Sequence, residues 1–318
     1  MTAFLYRLLE GGADLLGPWF LSFSARIIAA GYFLFSPLRR ESIRFYRLLY
    51  PERCKRSRLW PWYCTFQQYQ HFTRIHCDRF LARSQHDLGK GTGISFSSEG
   101  LEQLDPLLDQ QGALLLMSHL GNWEIAAELL VRQFPNMRLL LFMGAKQREG
   151  VEAAQKEALR RGGVRILALE EQEDNPLLAI EGIRFLQQGG VVSMPGDILL
   201  KPEQKRLEVS FLGGVARLPA APFVMAMLTG APIFVFFAFR TGPGHYHFTL
   251  SQPLHLDKQG RGERDQTLQQ AAQHYAHLLE GALRNHPFAW FHFRRFVHDP
   301  PGATDAKRSG PRLHPWHP

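Results

Sequence analysis

Cysteine is scarce: Cys54, Cys64 and Cys77 are the only three in 318 residues, and no two form a C-x-x-C pair. That excludes a disulfide framework and a zinc ribbon, and fits reduced thiols in a cytosol-facing protein. There is no G-x-S-x-G turn, which argues against Ser118 as a nucleophile. There is neither a Walker-A loop nor G-x-G-x-x-G, so the common nucleotide-binding loops are missing. No internal repeat and no recognised nucleic-acid module occurs. His245 and His247 alternate as ligands on one strand would, but no third ligand is placed beside them. Neither a metal nor a cofactor is expected.

Long uncharged apolar runs are also lacking. Leu15 to Phe35 is mostly apolar and aromatic, but Arg26 divides it and Gly17-Pro18 breaks its start, whereas a clean spanning helix needs about 20 apolar residues. No convincing small-residue cleavage site follows, so the segment is not read as a removed signal peptide. An interfacial amphipathic helix and a single imperfect signal-anchor both remain open.

Enough apolar material is present for a sizeable core, with 45% hydrophobic and 21% charged residues, which excludes global disorder. The net charge of +8 is concentrated: Arg39 to Lys90 holds 12 basic and 4 acidic residues, the whole excess. Trp60, Trp62, Tyr63, Phe66, Tyr69 and Phe72 are interleaved with it. Aromatic and basic residues together suit an anionic membrane surface better than nucleic acid, given the apolar segment before them. A solvated basic face over ordinary aromatic packing is the plainer reading.

From Ile94 the pattern changes to alternating strands and helices. Strands are expected near 94–98, 113–118, 138–143, 164–168, 191–194, 233–240 and 245–250. Helices are expected near 101–108, 123–134, 151–161, 176–188, 220–228 and 264–284. The fold class is therefore α/β, a mixed and mainly parallel sheet flanked by helices. The expected organisation is a membrane-associating helix over 1–38, a basic aromatic helical segment over 39–93, the α/β domain over 94–298 and a disordered tail over 299–318.

One stretch concentrates chemistry. Ser118-His119-Leu120-Gly121-Asn122-Trp123-Glu124 lies between an apolar strand and an apolar helix. Strand ends that feed helices are where open α/β sheets put their sites. Asn122 is a suitable N-cap, and the Gly-Asn turn can fold His119 back towards Glu124. A carboxylate on one ring nitrogen leaves the other basic. Free amides at the helix start offer an oxyanion site. The spacing alone carries little: 14 histidines and 29 acids in 318 residues give about one such match by chance. On the residues alone, a general base and a satisfied structural histidine stand level. Lys146 and Arg148 follow one strand and Asp197 another, so both could face a substrate; a basic loop and a turn cap are the bland alternatives. The Phe211–Pro219 stretch, with Arg217, reads as a glycine-rich turn into an Ala- and Met-rich helix that could approach an acyl chain.

These motifs, taken in order, resemble the bacterial lipid A biosynthesis (lauroyl/myristoyl-type) acyltransferases, within the lysophospholipid and glycerolipid acyltransferase superfamily. The H-x4-E unit, Phe211-Leu212-Gly213-Gly214 with Pro219, Thr229-Gly230-Ala231-Pro232, and the aromatic-Arg-Arg run from His286 to Phe296 carry the resemblance. It implies transfer of a fatty acyl group from acyl carrier protein or acyl-CoA to a hydroxyl or amine of a lipid or glycolipid, at the cytoplasmic face of the bacterial inner membrane, peripherally or by one anchor. His119 would be the base and Glu124 its orienting partner, with Asn122, Lys146, Arg148, Asp197 and Arg217 as substrate-binding residues. Gly196-Asp197-Ile198 departs from the family's Asp-Gln pair, which leaves the acceptor open. A non-catalytic lipid-binding homologue and an acyl thioesterase are the alternatives.

Overall fold

The computed structural model describes residues 18–87, 94–108, 110–144, 160, 164–169, 176–199, 203–257 and 260–299. Four helices come first: α1 Pro18–Phe35, α2 Arg39–Leu49, α3 Pro51–Arg56 and α4 Trp60–Asp87. On α1, Leu21, Ala25 and Ala29 recur every four residues and are buried. They form one stripe laid against α4. Trp19, Phe23, Ile27, Leu34 and Phe35 are exposed. No described helix is by itself long and apolar enough to cross a membrane; α1 and α2, bent by 90°, have that length and composition only together. The basic segment is anchored inward as well as charged outward. Phe45, Tyr46 and Leu49 of α2 and Cys64 of α4 belong to the same core as the sheet.

The α/β part contains β1 Ser95–Glu99, β2 Ala113–Met117, α5 Trp123–Gln133, β3 Leu139–Gly144, β4 Arg165–Leu169, α6 Pro176–Gln187 and β5 Val191–Pro195. It continues with β6 Arg206–Phe211, β7 Gly214–Pro219, α7 Ala221–Thr229, β8 Ile233–Gly242, β9 His245–Leu250, α8 Arg261–Asn285 and β10 Val297–His298. Seven strands form one sheet in the order β1-β9-β8-β2-β5-β3-β4. The five from β8 to β4 are mutually parallel, and the β8–β9 hairpin turns the chain back. The expected α/β class, with its mainly parallel sheet, is what the chain adopts. Strands β2 and β3 are apolar throughout, and β5 is apolar but for buried Ser193, as suits parallel strands covered on both faces. One face packs under α5; the other packs under α6, α7 and α8.

Two expectations are corrected. Residues 101–108 form two 3-10 turns, Leu101–Gln103 and Asp105–Leu107, because Pro106 removes a helical donor and clashes with the preceding turn. The Phe211–Pro219 stretch is not a turn into a helix. It is the corner and second strand of an antiparallel hairpin, β6–β7, joined by β10 into a small sheet. Leu207, Val209 and Phe211 alternate inward along β6, a period of two that marks a strand with one wet face. The helix expected near 151–161 and the tail beyond Asp299 lie outside the described residues, except that Arg160 is helical.

Candidate functional site

The site follows from strand register. β2 and β5 are parallel neighbours, with Met117 opposite Pro195, so the residues two places beyond each, His119 and Asp197, emerge side by side. Gly196 N donates to Met117 O (2.8 Å), which keeps the strands together past their last paired residues. Gly196 must be glycine: a Cβ there would meet the Tyr275 ring at 2.8 Å. Tyr275, fully buried on α8, donates its hydroxyl to Met117 O (3.2 Å).

Asp197 is 1% exposed. Its two oxygens lie 3.1 Å from His119 Nδ1, and one accepts the His119 backbone N–H at 2.6 Å. Burial alone would raise its carboxyl; the His119 charge, the bonds to the ring and amide, and His292 outweigh burial and hold it below the usual carboxylate range. An ionised Asp197 accepts the Nδ1–H of His119, which holds the tautomer that leaves Nε2 unprotonated. The carboxylate the structure shows at His119 Nδ1 is that of Asp197. Glu124 is half-buried in the first turn of α5.

The turn between them is fixed from three sides. Gly121 has φ +90°, and a Cβ on it would meet Ala238 O at 2.3 Å, so only glycine fits. Asn122 N donates to Ala238 O on β8 (2.8 Å). Gly121 N donates to Ala289 O (2.8 Å), and Phe291 N donates to His119 O (2.7 Å). The aromatic run after α8 therefore clamps the turn. Its Trp290 is 1% exposed, and Gln68 of α4 donates to its carbonyl. Asn122 caps α5 through its side-chain oxygen (3.5 Å to Ile125 N), as its position in the sequence predicts.

Sequence reasoning missed two parts. The first is His292, whose ring sits edge-on to His119 at 5.6 Å and stacks on Trp290 at 5.5 Å. Its Nδ1 lies 3.2 Å from Arg294 O, so Nδ1 donates and, in the neutral ring, Nε2 carries no proton. Burial first, and His119 beside it, hold the ring neutral, although Asp197 pulls the other way. The second is a buried chain of polar groups behind Asn122. Asn122 Nδ2 donates to Tyr246 Oη (3.3 Å), Tyr246 donates to Asp78 of α4 (3.0 Å), and Arg240 grips both Asp78 oxygens at 2.6 and 3.1 Å. A signal existed: Asp78 is the one acid between Glu52 and Asp87, and a lone acid in a basic helix has a partner to find.

Beside Asp197 opens an apolar cavity of about 290 Å³ between α6 and α7. Phe142, Leu178, Met194, Met225 and Leu228 line it, and Pro195 and Ile198, on either side of Asp197, stand at its edge. The Ala- and Met-rich helix noted in the sequence is one of its walls. Arg217 is placed elsewhere, on β7, where it faces Glu208 across the hairpin and bonds it at 3.0 Å. Lys146 and Arg148 lie outside the described residues. Among the described residues no group of His, Cys, Asp or Glu could hold a metal ion.

A basic imidazole backed by a buried carboxylate, at the edge of an apolar slot, equips an α/β protein for proton transfer at the head of an aliphatic chain. The family model described as bacterial lipid A biosynthesis acyltransferase matches residues 81–297, and the chain belongs to that family. Membership implies acyl transfer to lipid A-like acceptors and association with bacterial membranes. Comparison with curated proteins gives no match.

Proposed function

We propose that the chain transfers a fatty acyl group from an acyl carrier protein or acyl-CoA thioester to a hydroxyl, or an amine, of a lipid or glycolipid. His119 Nε2 removes the acceptor proton as the oxygen attacks the thioester carbonyl. The ring becomes an imidazolium, stabilised across Nδ1 by ionised Asp197. As the tetrahedral centre collapses, the C–S bond breaks, and His119 returns the proton to the departing thiolate. A thioester is reactive enough that neither a metal nor a covalent enzyme intermediate is called for. The amides of Leu120, Gly121 and Asn122 are already bonded, so an oxyanion would draw on the first turn of α5 and not on them. Glu124 is proposed as the second carboxylate of the site. The acyl chain occupies the cavity between α6 and α7, which is apolar and of a size typical of ligand pockets.

The observation that carries this reading is the bond between His119 Nδ1 and buried Asp197, next to that cavity, in a chain of this family. The exposed apolar side of α1, followed by the basic segment, supports attachment to the cytoplasmic face of the inner membrane, with residues 1–38 as the attaching unit and 94–298 as the catalytic one. The test is acyl-thioester consumption with membrane lipid extract, followed by mass spectrometry of the lipids. His119→Ala should lower transfer roughly 10²- to 10⁴-fold. Free fatty acid without an acylated lipid would make the protein a thioesterase; binding without turnover would make it a lipid carrier. Unchanged turnover in folded His119→Ala would remove this histidine from the chemistry.

A further inference from the structure

A second cluster of charge sits on the opposite flank of the His119 turn from the acyl cavity. α1 lies along α4 so closely that Gln70 Nε2 donates to Arg26 O (3.2 Å). On α4, residues 70, 74 and 78 are four apart and share a face. At one end of that row Arg26 enters from α1. At the other, Asp78 is gripped by Arg240 and also accepts from Tyr246. Arg74 stands between them, partly buried. Among the described residues no carboxylate reaches Arg74 or Arg26, and Asp78 is already taken. Burial first, then the neighbouring Arg240 and Arg26, pull the Arg74 guanidinium below its ordinary range. His71, one turn before Arg74 and against Phe288, is held down at about 4 by burial and by Arg74 and Arg240. It therefore contributes no charge at neutral pH.

Three arginines from three elements thus lie around one carboxylate, which Arg240 alone holds; Arg74 and Arg240 are half-buried, and Arg26 reaches the group from the exposed side of α1. Cations so arranged repel one another unless an anion joins them, and burial weakens the screening that salt would provide. Guanidinium forks match phosphate oxygens two at a time. The cluster's position relates it to the reacting centre. Arg240 is two residues past Ala238, whose carbonyl holds Asn122 N, and Tyr246 bonds both Asp78 and Asn122. It is bordered by α1, whose other side is apolar and exposed.

We propose that Arg26, Arg74 and Arg240 form a binding site for a phosphate group carried by a lipid headgroup, with Arg74 as its central ligand. The proposal rests on the acyl-transfer reading for its link to catalysis, but the site itself can be tested apart from turnover. Arg74→Gln and Arg74→Lys leave the Asp78–Arg240 pair in place. With a phosphorylated glycolipid acceptor, Arg74→Gln should raise KM roughly 10- to 100-fold, the worth of a charge-assisted hydrogen bond, with kcat little changed. The dephosphorylated acceptor should show no such effect, and Arg74→Lys should recover part of the loss. If the phosphate comes from bilayer lipid instead, Arg74→Gln should weaken binding to phosphatidylglycerol vesicles and leave acceptor KM alone. Equal KM for both acceptors, with unaltered vesicle binding in a folded Arg74→Gln protein, would overturn the site. A wild-type protein without transferase activity would sink the acyl-transfer reading, and the vesicle measurement would still judge the arginines.

Discussion

Asparagine at position 197 asks the most of the proposed mechanism. Asp197 now accepts from two donors, the His119 ring N–H at 3.1 Å and the His119 amide at 2.6 Å. Asparagine keeps one oxygen and turns an NH₂ towards the other donor. One bond to a charged acceptor disappears, a loss of about 1.5–3 kcal/mol, or one to two powers of ten in rate. The imidazolium formed during reaction also loses its counter-charge, and the ring is free to take the wrong tautomer. The expected fall in kcat for Asp197→Asn is therefore about 10²- to 10⁴-fold, with the donor KM little altered because the acyl cavity is untouched. Glu124→Gln, measured alongside, separates the two carboxylates. If Asp197 holds the ring, its variant suffers the larger kcat loss. The assay is steady-state acyl transfer at saturating donor, with circular dichroism confirming the fold. A folded Asp197→Asn enzyme with wild-type kcat would refute the pairing as a catalytic device. Stability gives a second readout. Asp197 is held below its unfolded value, so the stability it contributes is fully present above about pH 4, the ordinary carboxylate value. It is lost as pH falls through the lower folded value. The contrast between wild type and Asp197→Asn should narrow on acidification.

Three further outcomes are expected. A Cβ at Gly182 would lie 2.9 Å from Met225 Cε and 3.0 Å from Phe142 Cζ, both lining the cavity; Gly182→Val should shift donor preference to shorter acyl chains, read by competition between thioesters. Asp78→Ala leaves half-buried Arg240 without its partner and should cost about 1–3 kcal/mol, measured by denaturant unfolding. His71 is neutral in the folded chain with a pKa of about 4, so stability should rise with pH between about 4 and the unfolded value of about 6.5; His71→Phe should flatten that portion of the pH–stability curve.

Much of the sheet was legible because β2, β3, β5 and most of β8 are predominantly apolar runs bounded by turn residues, and Asn122 announced the start of α5. The strand β6 carried its alternation openly, yet the glycines after Phe211 drew attention to a turn and hid the second strand. Strand order was not readable. Nothing in the residues says that β5, and not β3, lies next to β2, so Asp197 could be placed at a strand end but not beside His119. Asp78 and Arg240 are 162 positions apart, and His292 is 173 beyond His119. Helical and strand periodicity speak only of near neighbours, and pairings across such separations are decided by packing.

The clamp on the His119 turn also orders events during synthesis. The residues that receive Gly121 N and supply a donor to His119 O, Ala289 and Phe291, leave the ribosome about 170 positions later. Until they emerge, a nascent chain can build β2, β5 and the helices around the apolar cavity, while the turn that carries His119 still lacks the two backbone bonds that fix it.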